Sequence, residues 1–491
     1  MIRTWDIFDT LIARRCINPQ NVFQIVEQIS KVKGFKDVRI SAEQDLIKKR
    51  LSYNFDDIYD NMSKIAKVPP ELIEKLKKLE IDVEMDQVIP ITENLNQVKS
   101  GDVLISDMYL PEEIIRRMLD KVGLFVPVEL IVTSDGKASG KVWRQFKDQK
   151  IYLFHTGDNE ILDVKNSRQY DFDSSWTMLN RLNQFENILI EKGFDFDFVA
   201  YIRELRLKNP FKEEIKRIYW ELFLINITML ILFIKLIDHI QKKYEFNYLG
   251  FCGRDTYYMY KIYKEYKNSM NESIVDSDYL YYSRKLVNNS ENDISKYFHS
   301  KIQNKKALLV DLHGSGNHLN KLRDLVKCNY SIVICEWIGY NAASKYYPGM
   351  QCSKKWINVK DIVNQKIEEN LNFSLIDLEN ENLPKFDNLE LLNRATHNSP
   401  IKMKSIKIED KIIPEVIFSK VNDTENLDVF ETCMKEILRE KIKFPIIEDI
   451  PQILSSLRYI LPYFNNYANK FLLKGQHNMQ ESIDNFLRLN K

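Results

Sequence analysis

The stretch Trp5-Asp6-Ile7-Phe8-Asp9-Thr10-Leu11 places a carboxylate, Asp6, at the end of a short apolar run. A strand with this sequence would be buried and would expose the carboxylate where the strand ends. Apolar runs with strand-like composition cover residues 2–8, 102–106, 129–133 and 151–156, and each is followed by polar residues. Helix-like segments lie between them. This alternation predicts an α/β fold with a parallel sheet, whose functional side chains meet at the carboxyl ends of the strands.

The polar residues that follow these runs form an ordered set of chemically distinct groups. The set comprises Asp6, Ser106, Lys137 and the pair Asp158 and Asp163. Phosphoryl transfer needs a nucleophile, a hydrogen-bond donor, a fixed cation and metal-binding carboxylates in one small volume. A carboxylate can attack phosphorus only if its repulsion from the phosphate is screened, which a divalent ion and a lysine accomplish together. The set therefore predicts a phosphoryl-transfer site.

Residues 1–172 resemble the haloacid dehalogenase (HAD) superfamily of aspartyl-nucleophile phosphotransferases and hydrolases, in which these four segments occur in the same order. The resemblance implies an HAD-like, Rossmann-like parallel sheet. It also implies that Asp6 is the nucleophile, that Ser106 holds a phosphoryl oxygen and that Lys137 neutralises charge. The cofactor that the resemblance implies is Mg²⁺, with ligands from Asp6, the backbone carbonyl of Phe8, Asp158 and Asp163.

Two of these assignments have alternatives. Asp158 and Asp163 could share one hard cation through oxygen ligands, or either could instead cap a helix. Lys141 lies four residues after Lys137 and could point into the same site. The spacing from Lys137 to Gly140 favours Lys137, because it matches the branch of the superfamily described below.

Phe8 departs from the pattern of most phosphatases in this superfamily. Those enzymes carry a second aspartate two residues after the nucleophile, where it protonates the leaving oxygen and later activates water. Here the position is Phe8, and the additional carboxylate, Asp9, falls three residues after Asp6. A strand with period two would point Phe8 and Asp6 the same way. Dehalogenating members of the superfamily also place an aromatic residue there, so the sequence predicts impaired general-acid catalysis.

The closer resemblance is to HAD-like proteins found with polysaccharide-building enzymes, which pair an Asp-Ile-Phe-Asp-Thr start with a Ser-Asp-Met-Tyr-Leu second motif. Trp5–Leu11 and Ser106–Leu110 match both motifs. The expected function is an Mg²⁺-dependent phosphohydrolase or phosphotransferase acting on a small phosphorylated metabolite, such as a sugar phosphate in surface-polysaccharide synthesis. The expected partners are that substrate and polysaccharide-assembly enzymes.

The chain is long enough for several domains. Amphipathic helical patterns within residues 13–100 predict a helical cap inserted between the first two strands. We expect the HAD-like domain to span 1–172, a linker 173–210, a second α/β domain 211–345, and an irregular to helical region 346–491. The strands predicted in the second domain cover 248–252, 278–282, 306–311 and 331–337, after a long apolar-faced helix at about 213–243.

The second domain contains a possible ligand pocket of its own. An apolar strand there runs into a Gly-rich loop, a design that brings backbone N–H groups close to a phosphate. The candidate ligand-binding residues are Arg254, Asp255, Arg284, Asp311, Ser315 and Gly316. An alternative function is therefore glycosyl or phosphoribosyl transfer in this domain, with the HAD-like domain as a scaffold. A third alternative is a non-catalytic binding protein, and a plain strand-turn-helix junction would also explain the loop.

The overall charge and the apolar segments limit the other possibilities. The formal net charge of +1 gives no global field for nucleic acid, so we expect no nucleic-acid partner. The six scattered cysteines form no zinc-like cluster and are expected to be reduced thiols in a cytoplasmic protein. The start of the chain lacks the zones of a signal peptide. The most apolar stretch, 222–234, is shorter than a spanning helix and predicts a buried core helix rather than an integral membrane segment.

Overall fold

The computed structural model forms two compact units, each built around its own sheet. It describes residues 2–49, 52–253, 256–270, 275–280, 291–314, 316–337, 356–358, 372–377, 405–408, 411–414, 424–439 and 441–472. The first unit comprises Met1–Ile190 and Asp195–Lys212, and the second comprises Glu191–Phe194 and Glu213–Lys491. Both units contain parallel sheets with helices between the strands, so the predicted α/β class is confirmed.

The first sheet has five parallel strands in the order β5-β4-β1-β6-β7. Its strands are β1 (Ile2–Asp6), β4 (Val103–Asp107), β5 (Glu129–Thr133), β6 (Leu153–Gly157) and β7 (Asp173–Trp176). The strand β1 lies between β4 and β6, with Asp6 opposite Ile105 and Trp5 opposite Thr156. Apolar side chains such as Leu104 and Leu153 are completely buried, which explains why these runs form the interior of the sheet.

The inserted cap consists of four helices and a short antiparallel pair of strands. The helices are α1 (Asn21–Ser30), α2 (Phe35–Lys48), α3 (Phe55–Ala66) and α4 (Pro70–Gln87). The strands β2 (Ile12–Arg14) and β3 (Val88–Pro90) pair where the chain enters and leaves the helices. The helix α3 begins with a capping box in which Asn54 and Asp57 satisfy each other's backbone N–H groups.

Shorter helices complete the first unit, and two of them lie in the segment predicted to be a linker. They are α5 (Thr92–Leu95), α6 (Glu112–Lys121), α7 (Lys141–Asp148), a π-helix (Glu160–Lys165), α8 (Asn166–Arg168), α9 (Gln184–Glu191) and α10 (Phe196–Leu207). Residues 173–210 thus contain β7, which is an edge strand of the sheet, and two helices. The sequence of β7, Asp-Ser-Ser-Trp, is polar, so a search for apolar runs does not predict this strand.

The second unit has a six-stranded parallel sheet in the order β12-β13-β11-β10-β8-β9 and a separate two-stranded sheet. The strands are β8 (Tyr248–Cys252), β9 (Asp276–Leu280), β10 (Ala307–Gly314), β11 (Tyr330–Trp337), β12 (Trp356–Asn358), β13 (Asn372–Asp377), β14 (Ser405–Ile408) and β15 (Lys411–Pro414). Its helices are α11 (Glu214–Lys243), α12 (Tyr257–Ser269), α13 (Glu291–Ile302), α14 (Asn317–Val326), α15 (Thr424–Arg439) and α16 (Ile450–Leu472). The region 346–491 therefore contributes strands as well as helices.

The helix α11 is the most apolar long helix of the second unit. Over Lys216–Lys243 its length and composition would allow it to cross a membrane. However, 89% of its most apolar 18-residue stretch is buried inside the protein. Leu222, Ile231 and Ile237 are completely buried. Extensive burial of this kind is also found in the core helix of a globular domain.

Candidate active site at the carboxyl edge of the first sheet

The four predicted segments converge at the carboxyl edge of the first sheet. Asp6 is the last residue of β1, and Ser106 lies near the end of the adjacent β4. Asp158 directly follows β6 on the other side of β1. Because neighbouring parallel strands end at the same edge, residues far apart in sequence come together here. Asp6 and Ser106 are buried, and Asp158 is half-buried.

Lys137 lies inside this cluster and contacts two of its carboxylates. Its Nζ is 2.5 Å from Asp6 Oδ1 and 2.7 Å from Asp163 Oδ1, and the lysine is only 4% exposed. The alternative lysine, Lys141, has a side chain that is 71% exposed and pairs with Asp135. The structure therefore brings Lys137 to the cluster and leaves Lys141 at the surface.

Asp107, which the sequence analysis did not single out, holds the loop that carries Lys137. Its Oδ1 accepts a hydrogen bond from the backbone N–H of Lys137 at 3.0 Å, and its Oδ2 accepts one from that of Ala138 at 3.1 Å. Thr133 Oγ1 also donates to Asp107 Oδ1, at 2.5 Å. A carboxylate bound to several backbone N–H groups fixes a loop firmly, so Asp107 determines where Lys137 lies.

Asp163 is fixed by the turn of the π-helix and by the residues that precede it. Its Oδ2 accepts a hydrogen bond from Asn159 N at 2.9 Å, and its Oδ1 is 3.3 Å from His155 Nε2. A Cβ atom at Gly157 would lie 2.3 Å from the Asp163 carboxylate carbon, so only glycine fits between β6 and this side chain. The segment His155–Asp158 therefore packs around Asp163 as well as supplying Asp158.

Thr10 positions the carboxylate of Asp6. Its hydroxyl donates to Asp6 Oδ2 at 3.0 Å, and its own carbonyl accepts a hydrogen bond from Asn94 Nδ2 at 2.8 Å. With Lys137 bound to Oδ1, both oxygens of Asp6 have a protein donor. The nucleophile candidate is thus held in one orientation, as a positioned reacting group requires.

The cluster contains more carboxylates than cations. Burial raises the pKa of Asp6 to about 7, although the charge of Lys137 opposes the shift. Burial, and then the charges of Asp6 and Asp9, raise the pKa of Asp158 to about 8. Asp163 is also buried, but its ion pair with Lys137 holds its pKa well below the usual range. One lysine compensates one carboxylate, and the other two are destabilised in their charged forms.

This imbalance is what a divalent cation would relieve. If all three carboxylates ionise, two negative charges remain after pairing with Lys137. Potential ligand oxygens of Asp6, Asp158 and Asp163 all lie within 4.8 Å of one another. Mg²⁺ binds oxygen at about 2.0–2.1 Å, so ligand oxygens on opposite sides of the ion are up to about 4.2 Å apart. The three carboxylates fit this hard ion in chemistry and charge, and a small contraction would bring them to its ligand distances.

Phe8 does not continue the first strand, which corrects the prediction of a strand over residues 2–8. The strand β1 ends at Asp6, and Phe8 forms an isolated bridge with Ile12. Asp9 has a left-handed backbone with φ of 61° and donates its N–H to Ile12 O at 2.6 Å. The Phe8 ring lies 4.8 Å from the Arg14 guanidinium carbon. The period-two argument therefore does not apply to Phe8, because the chain turns immediately after Asp6.

The candidate residues of the second unit are only partly described. Gly316 precedes α14 with φ of 72°, in the left-handed region that favours glycine. Asp311 lies on β10, where its Oδ1 accepts a hydrogen bond from Leu312 N at 2.9 Å. The other four candidates, Arg254, Asp255, Arg284 and Ser315, lie outside the described residues.

A scan against protein-family models finds no match to this chain, and a search of curated proteins finds no significant relative. The functional interpretation therefore depends on the residues and geometry of the site.

Proposed function

We propose that the first unit is an Mg²⁺-dependent, HAD-like phosphohydrolase or phosphotransferase that acts through an aspartyl nucleophile. The observation that supports it best is the clustering of Asp6, Asp158 and Asp163 at the carboxyl edge of the sheet, where the buried Lys137 pairs with Asp6 and Asp163. The substrate class is a small phosphorylated metabolite. Its assignment as a sugar phosphate of surface-polysaccharide synthesis rests on the resemblance in the first two motifs.

The chemistry follows from the charges of the cluster. A carboxylate oxygen of Asp6 attacks phosphorus, the bond from phosphorus to the leaving oxygen breaks, and an aspartyl phosphate forms. Attack by water, or by an acceptor hydroxyl, then releases the phosphoryl group and regenerates Asp6. Mg²⁺ bound by the three carboxylates would neutralise charge on the transferring group. Lys137 would offset the negative charge that develops on the phosphoryl oxygens, since it already contacts Asp6.

Phe8 sets a limit on this chemistry. A phenylalanine at the usual general-acid position cannot protonate a leaving oxygen, and its ring is in contact with Arg14. General acid catalysis typically contributes about 10²–10⁴-fold. We therefore infer that the substrate either has a good leaving group or receives its proton from another acid, of which Asp9 is the nearest in sequence.

The direct test is a phosphate-release screen of the full chain over sugar phosphates, nucleotides and aryl phosphates, with and without Mg²⁺. We expect release that requires Mg²⁺ and falls by at least about 10³-fold in Asp6→Asn, because the amide keeps the shape but loses the attacking charge. Asp135→Asn is the matched control, since Asp135 is half exposed and pairs with the surface residue Lys141. Phosphate release that is unchanged in Asp6→Asn would contradict the proposal.

A further inference from the structure

An exposed tryptophan lies at the rim of the candidate active site. Trp176 ends β7, pairs in register with Gly157, and is 41% exposed. Its indole Nε1–H donates a hydrogen bond to the backbone carbonyl of Asp158 at 2.8 Å. The large apolar ring is therefore held in a fixed place beside a residue of the carboxylate cluster, where it remains open to solvent.

Arg181 lies over the same ring. Its guanidinium carbon is 5.2 Å from the centroid of Trp176, within the range of a cation–π contact. A turn fixes its backbone, with Arg181 N donating to Met178 O at 3.1 Å. Arg181 is exposed, and no carboxylate in the described part of the chain forms an ion pair with it. The pair thus presents a flat aromatic surface and a cation that is available to an anion.

Two exposed side chains that lie close in sequence to Trp176 and Asp158 are apolar, while Asn159 and Glu160 beside them are exposed and polar. Met178 follows Trp176 by two residues and is 50% exposed, and Ile161 follows Asp158 by three residues and is 59% exposed. Neither side chain can hydrogen-bond to sugar hydroxyls. The exposed ring of Trp176 suits a flat heteroaromatic ligand, because base–aromatic stacking needs only the π-face of the ligand.

We propose that Trp176 and Arg181 form a platform that binds the base of a nucleoside 5′-monophosphate whose phosphate enters the Asp6–Lys137 cluster. This inference rests on the proposed function and specifies its substrate class. A single ribose separates base from phosphate in such a ligand, and the platform contacts Asp158, which is itself part of the cluster. Arg181 would attract the anionic ligand and stack against the base, while Trp176 would supply most of the contact area.

The test compares two ligands that share a leaving group. Adenosine 5′-monophosphate and ribose 5-phosphate both present a phosphate on a primary ribose oxygen and differ in the base. Their affinities are measured by calorimetry on full-length Asp6→Asn with Mg²⁺, which should bind without turnover. Stacking of one base on an aromatic ring is worth about 1–3 kcal/mol, or about 5–150-fold in affinity. We expect adenosine 5′-monophosphate to bind at least about fivefold more tightly.

Variants of Trp176 then separate the effect of stacking from that of the hydrogen bond between Trp176 and Asp158. Adding Trp176→Ala should remove the preference for adenosine 5′-monophosphate over ribose 5-phosphate, while any effect of the lost hydrogen bond to Asp158 should change the two affinities equally. Trp176→Phe loses the N–H donor to Asp158 but keeps a ring, so most of the preference should persist. Phe125→Ala, which removes an aromatic side chain that is 80% exposed in the loop before β5, should change neither affinity.

Three outcomes would overturn the platform: equal affinities for the two ligands, tighter binding of ribose 5-phosphate, or no binding of either. A loss of preference in Trp176→Phe as complete as in Trp176→Ala would also overturn it, because the hydrogen bond to Asp158 would then be responsible. The proposed function is judged separately by Asp6-dependent phosphate release in the wild type. Its failure alongside base-dependent binding would leave a nucleotide-binding site without phosphatase activity.

Discussion

Two of the clusters of buried charge in the first unit differ in the balance between cations and carboxylates. In the cap, Arg39 donates to both oxygens of Glu80 at 2.9 Å, and the Tyr59 hydroxyl donates to Glu80 at 2.7 Å. Arg14 and Glu84 form a second bidentate pair there, at 2.8 and 2.9 Å. Each of these arginines is therefore paired with a carboxylate of its own. At the edge of the sheet, by contrast, three carboxylates lie together with one lysine, which contacts only Asp6 and Asp163.

The difference is the one expected between a structural cluster and a ligand-binding one. Bidentate pairs with satisfied hydrogen bonds fix the geometry of a cap, and they have no need of another ion. An excess of buried carboxylates is costly to folding and is characteristic of sites that bind cations and anionic ligands. The carboxylate cluster therefore has the charge pattern of a binding site, while the cap pairs explain how the helices are held.

The largest expected effect comes from breaking a balanced pair. Arg39→Met should lower the free energy of unfolding of the first unit by about 3–5 kcal/mol, because it leaves Glu80 buried without its cation. Urea denaturation of the full chain followed by circular dichroism measures the change. The double variant Arg39→Met/Glu80→Leu removes both charges and should recover much of the loss. A cost below about 1 kcal/mol for the single variant, typical of exposed pairs, would refute the structural role of the pair.

The next effect concerns Phe8, which touches the cap pair through Arg14 and lies two residues from Asp6. Without an acid at this position, an aryl phosphate should be hydrolysed much faster than an alkyl sugar phosphate. Phe8→Asp should reduce the ratio of the two rates by about tenfold or more, given the range for general acid catalysis. Phe8→Leu is the matched control and should keep the ratio. Equal rates in the unmodified protein would show that another acid, such as Asp9, already protonates the leaving group.

A pH-dependent shift in stability is also expected from the unbalanced cluster. The pKa of Asp158 is raised in the folded protein to about 8, from 3.8. The stability due to its protonated form is complete below about pH 4 and is lost as the pH rises through 8. In EDTA, Asp158→Asn should therefore gain thermal stability relative to the wild type between pH 5 and 9.

With Mg²⁺ present, the wild type should become more thermally stable than Asp158→Asn. Since the ion must displace the proton from Asp158, its stabilising effect on the wild type should be larger at pH 9 than at pH 6. Differential scanning fluorimetry over this pH range measures both effects. A wild type whose melting temperature responds to neither pH nor Mg²⁺ differently from Asp158→Asn would show that Asp158 is structural.

The parts of the fold that were predictable from sequence are those with an apolar signal. The strands containing Asp6, Ser106 and the run before Asp158 are mostly buried, and apolar residues such as Trp5, Leu104 and Leu153 identify them in the sequence. The strand ending at Trp176 has a polar sequence and forms because it pairs with β6, which no local pattern reveals. The helix α3 lies within residues 13–100, which were predicted to form a helical cap, and its capping residues, Asn54 and Asp57, are a usable signal for where it begins.

The residue types of the candidate site were predictable from sequence, but the hydrogen bonds that position them were not. Asp6, Lys137 and Asp163 come together as expected from the order of the segments. The role of Asp107 in holding the Lys137 loop depends on hydrogen bonds between segments about 30 residues apart, and sequence spacing cannot show them. Trp176 was missed for a similar reason, since its position beside Asp158 follows from the pairing of β7 with β6.

The measurement that tests the central claim most directly is the covalent state of Asp6 during turnover. The full chain is mixed with acetyl phosphate and Mg²⁺, quenched in acid at short times, digested and examined by mass spectrometry. We predict the added mass of one phosphoryl group on the peptide that contains Asp6, its absence in Asp6→Asn, and its absence in EDTA. A phosphoryl group on another residue, or metal-dependent hydrolysis that persists in Asp6→Asn, would contradict an aspartyl nucleophile at the end of the first strand.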